Sequence, residues 1–161
     1  MPLGTDYHGR CILSRILYGT RISLSVGLIA VGIALLFGIP IGVAAGYYGG
    51  WVDSVLMRIA DIMFAFPALL LAIVIVACIG YGLDKTMIAL GIVYTPQMAR
   101  IIRSSVLYIK GMEYIEAEHA IGSSNPSINQ HHVLPNSVAP IIVYSTLTLA
   151  AAILDCAALG F

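Results

Sequence analysis

The chain reads as an all-α polytopic membrane protein with about four transmembrane helices and one protruding hydrophilic loop. Of its 161 residues 60% are hydrophobic and only 10% charged, with a mean hydropathy of +0.96. A soluble domain carries about 25% charged residues, so this chain lacks the polar side chains to cover a water-facing surface. A spanning helix takes about 20 apolar residues, and the apolar runs here leave room for four or five. The one long polar stretch, 113–136, has nothing in it that could span a bilayer.

Composition also removes several function classes. The net charge is zero, which gives no electrostatic footprint for nucleic acid. Cys11, Cys78 and Cys156 are odd in number and lie far apart without a C-x-x-C pair, which argues against a zinc site or a disulfide framework. Cys78 and Cys156 read as small packing residues in apolar runs. Lys85-Thr86 lacks the glycines of a phosphate-binding loop, having Asp84 before it and Ile79 five residues earlier, so by that signature the chain holds no ATP site of its own. No Ser/His/Asp, metal or nucleotide constellation supports an enzyme.

In chain order, residues 1–21 form an amphipathic segment. Asp6, Arg10, Arg15 and Arg21 are set among Leu3, Ile12, Leu13, Ile16 and Leu17, a pattern expected of a helix lying along the membrane surface. The first span is expected over Ile22–Tyr47. Within and just beyond it Ala30, Ala34, Gly38, Gly42, Gly46 and Gly50 recur every fourth residue. Small residues in that register make a smooth ridge on which a second helix backbone can settle, the main route to helix association in lipid. Pro40 predicts a kink.

The aromatic turn Tyr47-Tyr48-Gly49-Gly50-Trp51 suits the headgroup layer. A second span is expected over Ile62–Ile79, bent at Pro67, with Arg58 and Asp61 paired at its entrance by their i, i+3 spacing. A third starts near Thr86, and its helix continues past Pro96 as an amphipathic rod to Lys110. Arginine in mid-bilayer costs about 2.5–3.5 kcal/mol, so the rod should leave the hydrocarbon before Arg100.

The polar stretch reads as two short helices. The first, Glu113 to Ile121, is interrupted by Gly122, whose missing Cβ suits the position past a helix end. The second opens with Asn125 as N-cap and Pro126 at the first helical position, and runs out at Leu134-Pro135. The fourth span then begins near Ser137 and is still running at Phe161, with Asp155 inside it. Asp155 and Asp61 are candidate intramembrane polar groups by default, the alternative being a helix-end or packing role. Lys and Arg divide four and four between the two sides of a four-span arrangement, so the positive-inside rule gives no orientation.

Glu116-Ala117-Glu118, then Gly122, then Leu134-Pro135 resembles the cytoplasmic EAA loop of ABC importer permeases. The likeness extends to Pro2-Leu3-Gly4-Thr5-Asp6, Arg21-Ile22-Ser23-Leu24, Gly46-Tyr47-Tyr48-Gly49-Gly50-Trp51-Val52-Asp53 and Ala157-Ala158-Leu159-Gly160-Phe161, which are similar to the dipeptide, oligopeptide and nickel branch of that family. The resemblance implies a MetI-like permease core truncated at both ends, a central piece that is a fragment, a split subunit or a decayed gene product. It further implies that residues 110–136 are a cytoplasmic coupling loop, with Glu116, Ala117, Gly122, Leu134 and Pro135 as its ATPase-coupling positions, and that 1–21 lies outside. It implies partners in the bilayer and on both sides of it: a second permease subunit, cytoplasmic ATPase subunits that hold ATP and Mg, and an extracytoplasmic solute-binding protein. No cofactor is expected on this chain itself, and the setting implied is the cell membrane of a prokaryote.

Two positions depart from the pattern. Glu118 stands where the family has alanine; at about 100° per residue it points about 160° from Glu116, which raises the question of which side meets an ATPase. His131-His132 stand where arginine or lysine is common, and neighbouring residues on a helix diverge too far to share a metal. The other readings of the chain are an ion-coupled secondary transporter or channel using Asp155 and Asp61, and a membrane fragment without transport.

Overall fold

The structure, a computed structural model, describes residues 3–160. Those residues form seven α-helices, and their one β feature is a single bridge between Thr5 and Cys11. Helix α1 covers Ile12–Tyr48, α2 Gly50–Phe64, α3 Ala68–Ile79, α4 Leu83–Lys110, α5 Glu113–Ala120, α6 Asn125–Ile128 and α7 Leu134–Leu159, with a π-helical turn at Asn129–Val133 between the last two.

The boundary expected near residue 21 is absent. Ile12–Arg21 are the first turns of α1, a 37-residue helix that runs unbroken through Pro40. No glycine or proline between Ile12 and Pro40 breaks it, and the hydroxyls of Thr20 and Ser25 donate back to the carbonyls of Ile16 and Arg21. At about 1.5 Å per residue α1 is far longer than a hydrocarbon layer of about 30 Å, so part of it must stand outside. Before α1 the chain makes a tight turn about Asp6. Its Oδ1 accepts the N–H groups of His8 and Arg10, both at 2.9 Å, and its Oδ2 lies 2.6 Å from Arg15 Nη1.

The core is the seam between α1 and α4, which α7 closes from the side. A methyl group on Gly38 would fall 2.8 Å from Met98 Cγ, one on Gly42 2.5 Å from the Ala99 carbonyl oxygen, and one on Gly46 2.8 Å from Val106 Cβ. Ala30 and Ala34 are fully buried on the same ridge. Gly50 does not belong to it: it is exposed at the start of α2, with φ +53° and open space around its Cα. The positive φ that turns the chain from α1 into α2 carries it off the helical register. The fit is reciprocal, since Gly91 of α4 receives Ile33, which would lie 2.6 Å from a methyl there.

The expected second span is two helices rather than one bent helix. α2 and α3 meet at 92° around Ala65-Phe66-Pro67, because proline at 67 leaves no N–H to continue the ladder. Two helices are long and apolar enough to cross a membrane alone, α1 and the continuous Asn125–Leu159 helix, and α2 with α3 qualify only as a bent pair. α4 starts at Leu83, ahead of the expected Thr86, and continues through Pro96 to Lys110 as expected, while Arg100 and Arg103 dilute its apolarity.

The largest revision lies in the polar stretch. Its second helix does not end at Leu134-Pro135. α6, the π-helical turn and α7 form one continuous helix, with Pro135 in the first turn of α7. Widening the turn at 129–133 absorbs the proline where a regular α-helix would have clashed.

Candidate functional site: the polar loop and its ties to the helix core

Helix α5 follows the turn at Gly111-Met112 and buries one side chain, Ile115. Glu116 and Ala117 face solvent. Gly122 closes the helix at φ +88°, while its N–H and that of Ser123 bond to the carbonyls of His119 and Glu118. Leu134 is half-buried and Pro135 exposed. The signature positions are thus spread along a ledge rather than gathered in a cleft.

Glu118 turns away from that outer face. Its Oε2 accepts the Ser123 hydroxyl at 2.6 Å, and its Oε1 lies 3.4 Å from His132 Nε2 in the π-helical turn. The Tyr114 ring stands 6.1 Å from the His132 ring. Asn136 donates to the His132 carbonyl at 2.7 Å and to the Tyr114 hydroxyl at 3.3 Å. His131 serves a different partner, its Nδ1 lying 3.0 Å from the Ser127 carbonyl. Two side chains of α5 are therefore fastened to the helix that becomes α7.

A second set of ties joins the loop and the end of α4 to α1. The buried Tyr47 donates its hydroxyl to Asn125 Oδ1 at 2.9 Å. Lys110 Nζ donates to the Tyr47 carbonyl at 2.7 Å and sits 5.4 Å from the centre of its ring. Asn125 is thus not the expected N-cap. Ser124 precedes the helix, Asn125 is its first residue and Pro126 its second, and the Asn125 side chain is committed to Tyr47. Sequence reading missed this node because Tyr47 fits a headgroup-layer aromatic equally well.

The ion pairs along α4 also differ from expectation. Asp61 does not pair with Arg58 but with Arg100, at 2.5 Å, while the Arg100 guanidinium lies 4.4 Å above the Phe64 ring. Arg103 grips Asp53 with both Nε and Nη2. The two carboxylates of α2 stand eight residues apart and meet arginines three apart on α4, a match set by the crossing of the helices rather than by local spacing. Asp155 accepts the hydroxyl of Tyr94 through Oδ2, tying α7 to α4. Asp155 was visible in the sequence as a carboxylate in an apolar run, whereas Tyr94 was not singled out. Cys78, read as a packing residue, is exposed on α3, and Cys156 is half-buried.

The architecture is that of a polytopic helical membrane subunit whose hydrophilic loop is tied by side-chain contacts to α1 and to the helix that becomes α7. The chain belongs to the family described as the binding-protein-dependent transport system inner membrane component, whose sequence profile matches residues 38–161. It is 52% identical over 158 residues to the dipeptide transport system permease protein DppC of Alkalihalophilus pseudofirmus, covering 98% of this chain and 52% of that one. It is 42% identical over 159 residues to the glutathione transport system permease protein GsiD of Pectobacterium atrosepticum, covering 99% and 53%. The chain spans about half the length of the curated relatives it matches. In fold it is similar to a chain of the MetNI methionine ABC transporter in an inward-facing conformation, with a TM-score of 0.75, 20% identity, and coverage of 87% of this chain and 70% of the other. An amino acid ABC transporter superposes with a TM-score of 0.64 at 19% identity, covering 94% and 77%.

Proposed function

We propose that this chain is the translocation-subunit core of an ATP-binding-cassette importer for small peptides, working in a prokaryotic cell membrane. The observation that supports this most is the mechanical one: the exposed ledge of Glu116 and Ala117 is carried by a helix fixed to α7 through Glu118 and Tyr114, in a loop fixed to α1 through Asn125 and Tyr47, where Lys110 also ties the end of α4 to α1. A displacement applied to such a loop moves the membrane helices, where a flexible loop would absorb it. Alternating access is largely rigid-body rocking of this kind. In this reading residues 110–136 lie in the cytoplasm and bear on an ATPase subunit that holds ATP and Mg. A second permease subunit completes the pathway, and an extracytoplasmic binding protein delivers the cargo. Catalysis belongs to the ATPase partners and this chain performs none.

The test is reconstitution in proteoliposomes with the ATPase, permease and binding-protein subunits. Peptide uptake should require ATP and fall to background when Gly122→Pro disrupts the loop. Uptake driven by an ion gradient without ATP would overturn the proposal. So would labelling of a cysteine placed at the exposed Ile121 from the outer side of intact cells.

A further inference from the structure

We propose that the Asp155 carboxylate, oriented by Tyr94, recognises the free ammonium group of a peptide in transit. This deepens the importer reading and rests on it. Asp155 lies in the apolar second half of α7 and is only half-buried, whereas Tyr94 of α4 is 7% exposed. The Tyr94 hydroxyl donates to Oδ2, which fixes the plane of the carboxylate and leaves Oδ1 to accept from another group. A hydroxyl donor supplies no charge, and among the described residues no lysine, arginine or histidine pairs with Asp155. A carboxylate within an apolar membrane helix is rare and, where it occurs, faces a partner, a water-filled cavity or a pathway. This one is partly accessible and has Oδ1 open to a further donor, a geometry that an ammonium group fits.

One helical turn beyond Asp155, on the same side of α7, Leu159 lines a cavity of about 250 Å³ between α3, α4 and α7 that also reaches Tyr81, Gly82 and Thr86. The cavity thus lies one turn beyond the carboxylate, with Leu159 rather than Asp155 or Tyr94 in its wall. Dipeptides and glutathione, the cargo named for the relatives, share a primary ammonium, a donor that a carboxylate oxygen accepts in a strong charge-assisted hydrogen bond. Asp155 would then select for an unblocked amino group after delivery, independently of the binding protein.

The experiment compares ATP-driven uptake of alanylphenylalanine and N-acetyl-alanylphenylalanine by the assembled transporter. Each peptide is presented on saturating loaded binding protein, so that the delivery step is equal. Wild type should carry the free peptide about tenfold faster, the size expected for a hydrogen bond to a charged group. Asp155→Asn should bring the two rates within about twofold of each other, and Asp155→Glu should keep the preference. Tyr94→Phe should slow the free peptide and leave the acetylated one unchanged; it keeps the buried ring, so it decides the matter if Asp155→Asn fails to assemble. Equal rates in wild type would overturn the inference, as would equal loss of both peptides in an Asp155→Asn transporter that co-elutes with its partners. Wild type that takes up neither peptide with ATP would strike the importer reading itself.

Discussion

Glu118 Oε1 and His132 Nε2 face each other at 3.4 Å across the turn that separates α5 from α6. The residue that departs most visibly from the signature is therefore an internal strut, with the Ser123 hydroxyl on its other oxygen. Replacing it by alanine restores the family's residue and removes the strut. Glu118→Ala should speed hydrogen exchange of the amides in α5 by a few-fold, since a partly exposed pair contributes up to about 1 kcal/mol. Exchange in α4 should stay unchanged. Unaltered rates in α5 would show that the pair restrains nothing.

The α1–α4 seam gives a sharper contrast between two glycines on one helix. Gly42 has no room for a methyl beside the Ala99 carbonyl, whereas Gly32 faces open space. Gly42→Ala should destabilise the fold by about 1–3 kcal/mol, the usual range for overpacking. Gly32→Ala should leave stability unchanged or raise it slightly. Thermal unfolding in detergent, followed by circular dichroism, separates the two, and equal midpoints would refute the close approach.

The two ion pairs between α2 and α4 should not count equally. Arg103 and Asp53 have side chains 30% and 20% exposed and share two hydrogen bonds, while Arg100 and Asp61 are 48% and 53% exposed and share one. Double-mutant cycles with alanine should give a coupling of about 1 kcal/mol for Arg103–Asp53 and a smaller one for Arg100–Asp61. The reverse order would show that bidentate geometry does not decide here.

The turn before α1 carries a pH dependence of definite sign. The N–H of Arg10 first, then the Arg15 guanidinium and the N–H of His8, hold the Asp6 carboxyl below its ordinary value. A carboxyl whose pKa is depressed on folding stabilises the folded turn above its unfolded pKa, about 3.9. That contribution is lost as pH falls through the lower folded value. Amide resonances of His8 and Arg10 should stay fixed from neutral pH down to the ordinary carboxylate range and shift together below it. Asp6→Ala should show the released positions at every pH.

Much of this arrangement could be read from residue order alone. The apolar runs, the unbroken polar stretch, the helix stop at Gly122 and the every-fourth-residue ridge from Ala30 to Gly46 are local or periodic features. Burial and turn chemistry act on such features directly, whatever lies across the fold. The EAA-like positions are likewise a pattern of fixed spacing along the chain, and coupling through them is the role proposed above.

Other features were decided only when distant segments met. Asp61 chose Arg100 over Arg58, thirty-nine residues away instead of three, because α4 lies alongside α2 and offers a better-placed guanidinium. Asn125 gave up capping its own helix for the Tyr47 hydroxyl, and Glu118 turned inward to His132. Pro135 failed to stop its helix because a widened turn took up the strain. Sequence determined that this protein is helical, membrane-embedded and furnished with a bent polar loop, since hydropathy and helix propensity are summed along the chain. Tertiary structure decided which polar groups serve each other, because a charge or hydroxyl in a poorly solvated setting takes the best partner that packing brings within 3 Å or so, and packing is a property of the whole fold.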